Sequence, residues 1–372
     1  AVLLNIIPKR YKELGLSELD TYFSMARGYQ GEHGDVKALA MKKWFNTNYH
    51  YIVPEVEDDT QIKLSGDKLW NEYDEAEELG IVTKPMITGA YTMLKLCRYT
   101  GNKSAADYVD DIVKAYKELL QTCGKKQIAW VQFDEPALVL DMSDEDKKLF
   151  HEIYDELLAC STDTKILLQT YFGDIRDIYE DVIKMSFAGI GIDFIEGKQS
   201  YELVSKFGFP KDKVLFAGLV NGKNIWKNHY DKTLKIVNEL ADKGIDTVIS
   251  TSCSLLHVPY TLGNEEKLSK EYTAYFSFAK EKLVELNELG KLADKKNYCD
   301  DEVYKKNHEL FNGNRNCTNA NVSERLSKVK EDDYIRLPKR SERQKLQKEE
   351  FKLPELPTTT IGSFPQTKDV CI

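Results

Sequence analysis

Apolar and polar positions fall along this chain in blocks, and the blocks repeat. Residues 128 to 133 are an apolar run that stops at Asp134, Glu135 and Pro136. A short apolar run bounded by polar or turn residues reads as a buried strand. Pro136 has no backbone N–H to donate, so the strand ends there. A helix is predicted from about Asp144 to Leu158. Strand Lys165 to Phe172 then precedes a helix around Ile178 and Val182, and strand Gly189 to Ile195 one around Leu203. Strand Val214 to Leu219 precedes a helix carrying Leu234, Val237 and Ala241, closed by Gly244. Strand Thr247 to Ser250 precedes a longer helix carrying Leu268, Tyr272, Phe276, Ala279, Leu283 and Leu286.

Upstream, Trp44 to Pro54 is an aromatic segment ending in a strand. Ser65 can cap a helix with Leu69, Tyr73, Ala76 and Leu79 on one face and Gly80 past its end. Pro85 to Thr88 is a short strand, followed by a helix with Ala105, Val109, Ile112, Tyr116 and Leu119 on one side. Strands alternating with helices at roughly 30 to 40 residues per unit argue a parallel α/β fold. With the segment near Tyr51 there are seven strands, one short of the eight of a (β/α)8 TIM-like barrel. The barrel is therefore expected to lack part of its first β/α unit upstream, or to make that strand from Val2 to Ile7. A doubly wound open sheet is the alternative, but no Gly-x-Gly-x-x-Gly turn follows any strand.

The boundaries follow from where the pattern changes. Residues 1–290 read as the barrel, 291–352 as a charged helical linker, and 353–372 as the first strand and loop of a second barrel. Helical pieces are expected at Val322 to Lys330 and Ser341 to Phe351.

At 372 residues, with 42% hydrophobic and 30% charged residues, the chain can bury a large core. A net charge of −9 argues against a nucleic-acid partner, which wants a basic face. No stretch approaches the roughly 18 apolar residues of a membrane span. The seven cysteines are scattered without a Cys-x-x-Cys pair, so a reducing cytoplasm is the expected setting. The first residue is Ala, which suggests that an upstream part is missing.

In such a barrel, chemistry gathers where strands run out at the C-terminal face. Those ends carry Asp134 and Glu135, Thr170 and Tyr171, Asp193 and Glu196, Asn221, and Cys253 with His257. Asp193, Cys253 and His257 could be zinc ligands, or simply hydrogen-bonded groups lining the mouth. Adjacent residues on a strand point to opposite faces, so at most one of Asp134 and Glu135 faces the mouth. That disfavours a paired-carboxylate mechanism and favours a structural hydrogen-bonding role. Lys42 and Lys43 beside Trp44 could bind an anion, or be solvated surface lysines.

Four motifs go further. Trp44-Phe45-Asn46-Thr47-Asn48-Tyr49-His50-Tyr51, Asp134-Glu135-Pro136-Ala137-Leu138-Val139, Ser250-Thr251-Ser252-Cys253-Ser254-Leu255-Leu256-His257 and Thr358 to Thr367 together resemble cobalamin-independent methionine synthase, from about Leu19 to Thr367. The resemblance implies two face-to-face (β/α)8 barrels joined by a linker, of which this chain would hold the N-terminal one. It implies methyl transfer from 5-methyltetrahydropteroyltri-L-glutamate to L-homocysteine, with zinc and without cobalamin. Lys43 matches the family lysine that holds the polyglutamate tail, for which a flexible ammonium is suited. Ile361, Gly362 and Ser363 match the stretch that contacts homocysteine, where glycine permits close approach and the serine can donate a hydrogen bond.

The zinc ligands belong, by the same resemblance, to the C-terminal barrel, so no metal site is expected here. Thr170, Phe172, Asp193 and Cys253 stand where the catalytic copy has His, Cys, Glu and Cys, and Leu140 stands where it has a Glu. The chain alone is then expected not to turn over, and no catalytic residue is assigned to it. Alternatives are a stand-alone folate-polyglutamate binding module and another enzyme of the same barrel superfamily.

Overall fold

Central strands buried on both faces need an inner and an outer set of side chains, and the chain supplies both. In the computed structural model, which describes residues 1–313 and 319–358, six strands form one parallel sheet. They are β1 (Met86–Thr88), β2 (Trp130–Asp134), β3 (Lys165–Gln169), β4 (Gly189–Asp193), β5 (Val214–Val220) and β6 (Asp246–Thr251), paired in sequence order. On the outer face Val131, Phe133, Ile166, Leu168, Ile190, Ile192, Leu215 and Ala217 join the main core. Against them pack α1 (Ala90–Leu96), α2 (Val109–Lys125) and α3 (Asp144–Leu158). The later strands are followed by α4 (Tyr179–Val182), α5 (Ser200–Phe207), α6 (Tyr230–Asp242) and α7 (Ala279–Ala293).

The inner face shows that the sheet curls. Trp130 on β2 and Phe216 on β5 lie three strands apart in the sheet, which would separate them by about 14 Å if it were flat. Their ring centroids are 5.8 Å apart. The Lys84 ammonium, just before β1, sits 5.2 Å from the Phe216 ring. Between them β4 contributes Gly189 and Gly191, and a Cβ at Gly191 would lie 2.1 Å from the Gln169 amide oxygen. Small residues on β4 thus leave space for large ones from its neighbours, as in the packed interior of a barrel.

Two expected strands are something else. Val2–Leu4 is a 3-10 turn that ends on Asn5 in the left-handed region (φ 55°), not a first strand. The segment near Tyr51 belongs to an antiparallel hairpin, Met41–Lys43 with His50–Ile52, and not to the parallel sheet. Its residues are exposed or half-buried, whereas a strand inside a parallel sheet must be apolar on both faces. The long helix expected from Leu268 to Leu286 is also broken. Only Lys270–Thr273 and α7 are helical, because residues 275–277 pair with 225–227 instead. Lys227 N–H donates to the Tyr275 carbonyl (2.8 Å) and Ser277 N–H to that of Ile225 (2.7 Å).

The first compact unit runs from Ala1 to Gly313, and the expected boundary near residue 290 falls within α7. A further helix, α8 (Glu302–Asn312), belongs to it: Asn307 accepts from Tyr230 N–H (3.0 Å) and donates to the Asn228 carbonyl (2.9 Å). The second unit begins at Asn314. Its described helices, Ala320–Ser327 and Arg340–Phe351, contain no buried residue.

Candidate functional site at the sheet's C-terminal mouth

The strand ends converge on a mouth lined by acids and aromatics. Asp134 and Glu135 diverge there. Asp134 turns inward, where the Gln132 amide (2.7 Å) and the Tyr171 hydroxyl (3.1 Å) donate to it. Burial raises its pKa to about 6 against those hydrogen bonds and the Lys84 charge. Glu135 turns outward and is fully buried. Its carboxylate accepts the N–H groups of Tyr91 (2.9 Å) and Thr92 (2.7 Å) at the start of α1, and the Tyr154 hydroxyl (2.5 Å). Burial pushes its pKa to about 7. The fit is tight, since a Cβ at Gly89 would lie 2.2 Å from the Glu135 carboxyl carbon. Glu135 therefore caps a helix, a structural hydrogen-bonding role of the kind expected for the pair.

Asp193 is also consumed by the backbone. One oxygen accepts Phe172 N–H (2.9 Å), the other those of Ile195 (2.7 Å) and Glu196 (2.9 Å). Phe172 adopts a left-handed backbone (φ 73°), which L side chains rarely do, and the Asp193 bond helps hold it there. The Thr170 hydroxyl donates to the Gly191 carbonyl (2.8 Å). Cys253 is buried, with its thiol pushed up to about 12 by burial. His257 packs edge-on against Tyr49 and Phe172 with ring centroids at 5.2 and 5.5 Å. Burial lowers its pKa. Among the described residues no group of three or more His, Cys, Asp or Glu could hold a metal.

Across the mouth lies the Met41–Ile52 hairpin. Its tip is a turn in which Trp44 N–H donates to the Tyr49 carbonyl (2.7 Å) and the Thr47 hydroxyl to that of Trp44 (2.7 Å). Trp44 and Phe45 pack into an apolar cluster with Tyr171, Phe172 and Cys253. The Tyr49 hydroxyl donates to the Leu256 carbonyl (2.6 Å). Lys43 pairs in register with His50, and its side chain is exposed. Among the described residues it makes no ion pair. Sequence reasoning placed Glu196 at a strand end but missed Lys223. That lysine bonds both Glu196 and Asn46, and its position three residues past the end of β5 is the signal that could have found it. Ile361, Gly362 and Ser363 lie outside the described residues, and Leu140 is an exposed residue beyond the strand-end turn.

Comparisons with known proteins agree with this architecture. A vitamin-B12-independent methionine synthase candidate from Listeria monocytogenes superposes with a TM-score of 0.50 at 14% identity, over 64% of this chain and 72% of that one. That likeness concerns the fold alone, a TIM-like α/β barrel domain. The 5-methyltetrahydropteroyltriglutamate–homocysteine methyltransferase of Lactococcus lactis subsp. lactis is 52% identical over 100% of this chain and 48% of its own length. The protein of that name from Campylobacter jejuni subsp. doylei is 50% identical over 100% of this chain and 49% of its own. The chain thus spans about half the length of the relatives it matches, and the likeness reaches back beyond Leu19 to residue 1. The model of the family "cobalamin-independent synthase, N-terminal domain" matches residues 1–244, and the chain belongs to that family.

Proposed function

We propose that this chain is part of an enzyme that moves a methyl group from 5-methyltetrahydropteroyltri-L-glutamate to L-homocysteine, giving methionine. In this reading its barrel helps hold the folate's glutamate tail through Lys43. The observation that carries the reading is the 52% identity, over the whole chain, with a relative named for that reaction. The geometry supports the tail role: Lys43 is an exposed cation on a hairpin fixed over the mouth, without an ion-pair partner among the described residues. Ile361, Gly362 and Ser363 are proposed to contact homocysteine.

Zinc does not fit the residues of this mouth. Zinc wants deprotonated thiolate, free imidazole or open carboxylate ligands. Asp193 already accepts three backbone N–H groups, and the Cys253 thiol is pushed up to about 12. Any zinc site of the reaction is accordingly proposed to lie outside this chain, in a second, C-terminal barrel, and the chain alone is proposed not to turn over. A reducing, cytoplasmic setting belongs to the same proposal, and the described cysteines are free thiols.

Titration of the purified chain with triglutamyl and monoglutamyl 5-methyltetrahydrofolate tests the tail role. Tighter triglutamyl binding is expected, with several-fold of that preference lost in Lys43→Ala. Equal affinities and a silent Lys43→Ala would remove it. Methyl transfer by the 372-residue protein alone would overturn the division of labour.

A further inference from the structure

Two strands rarely hold their position without other support, and among the described residues the hairpin that carries Lys43 pairs only with itself in the sheet topology. Something else must fix its height above the mouth. Three side chains from three separate elements meet at its tip. The Asn46 amide nitrogen donates to Glu196 Oε2 (3.0 Å), and its carbonyl oxygen accepts from the Lys223 ammonium (2.7 Å). Lys223 closes the ring by donating to both Glu196 oxygens (2.9 and 3.1 Å). Its ammonium also lies 5.0 Å from the Phe172 ring centroid, the residue whose backbone is held in the left-handed region.

We propose that Asn46, Glu196 and Lys223 form a positioning clamp that sets the hairpin, and with it Lys43, over the mouth. This rests on the tail-binding reading of Lys43. Asn46 is suited to the centre of the ring because one amide offers both a donor and an acceptor. The ring also fixes which way the amide points, with its oxygen to the cation and its nitrogen to the carboxylate. The Lys223 and Glu196 side chains are 21% and 30% exposed, so their ion pair is less screened than one at the open surface. Preorganisation explains the benefit. A cation held in place needs no further ordering when an anionic tail arrives, and that ordering otherwise weakens binding. None of the three is assigned a contact with ligand, so all three are positioning residues.

The test uses Lys223→Met, Lys223→Arg and Lys43→Ala in the full 372-residue chain. Two measurements are made: amide hydrogen exchange, and the triglutamyl-to-monoglutamyl affinity ratio of 5-methyltetrahydrofolate. In Lys223→Met the hairpin amides of residues 41–52 should exchange at least several-fold faster, while those of β2 to β5 keep their protection. The affinity ratio should fall about 3- to 10-fold toward that of Lys43→Ala, with monoglutamyl affinity unchanged, and Lys223→Arg should recover most of it. A merely structural lysine would slow or speed exchange everywhere and move both ligands together. Unchanged hairpin exchange in Lys223→Met overturns the clamp. Loosened exchange with an intact ratio overturns its part in recognition. If Lys43→Ala leaves the ratio unchanged, or neither ligand binds, the tail reading fails, and hairpin exchange alone then decides whether the clamp exists.

Discussion

The buried acids at the strand ends and the rim of the mouth are built from the same kinds of residue, yet they are committed differently. Glu135 and Asp193 are buried and accept three hydrogen bonds each from this chain's own backbone and tyrosine groups. They have little capacity left for a ligand. Glu196 sits only three residues beyond Asp193 but faces partly into solvent. Burial works against its charge, and the Asn46 amide and Lys223 ammonium outweigh that and lower its pKa. The buried acids hold strand ends and a helix start in place, whereas the rim keeps its charges within reach of something outside. A carboxylate at the mouth of a barrel is therefore no sign of catalysis until its lone pairs have been counted.

The sharpest way to break the comparison is Glu135→Ala. It strips Tyr91 N–H, Thr92 N–H and the Tyr154 hydroxyl of their acceptor in a fully buried place. Stability should fall by at least about 3 kcal/mol, since each stranded buried donor costs about 1–3 kcal/mol. Denaturant unfolding measures this, and a loss under about 1 kcal/mol would contradict the capping role.

A subtler effect follows from pH. Asp134, Glu135 and Asp193 have folded-state values of about 6, 7 and 6, above the values of about 4 expected unfolded. Between about pH 4 and 7 the folded chain therefore binds more protons than the unfolded one, so these groups lose stabilising effect as pH rises. Their contribution is complete below about pH 4 and gone above about pH 7. Glu135→Gln is neutral throughout. Wild-type stability relative to that variant should decline from pH 5 to pH 7.5, and a rise over that interval would refute the assignment.

The smallest change is expected at the rim. Tyr49→Phe removes a single hydrogen bond to the Leu256 carbonyl from an exposed ring. Global stability should fall by at most about 1 kcal/mol, seen as a small shift in thermal midpoint. A larger loss would mean that the hairpin is part of the cooperative core and that rim and interior are not separable.

Much of the fold was legible along the chain because its signals are local. The apolar runs before Asp134, around Leu167 and around Ile190 are strands in the structure, and α3 begins at Asp144 as its pattern predicts, with Ser143 as its cap. The divergence of Asp134 from Glu135 also follows from strand alternation alone. Where the reading failed, distant partners had overruled the local pattern. Phe276 and Leu283 keep helical spacing, but pairing of 275–277 with 225–227 breaks the helix between Tyr272 and Ala279. Tyr51 sits in a β-rich segment, but which strand it pairs with depends on chain geometry, and the answer was a hairpin over the mouth.

The amino-acid order by itself determined the alternation of strands and helices, the strand ends where polar groups collect, and the motifs that match the family. Tertiary structure decided what those groups are for. Glu196 and Lys223 are separated by 150 and 177 positions from Asn46 at the hairpin tip, and no periodicity links residues so far apart. Only the curling of the sheet brings the loops after β4 and β5 beneath the hairpin, where hydrogen bonds and charge can join them.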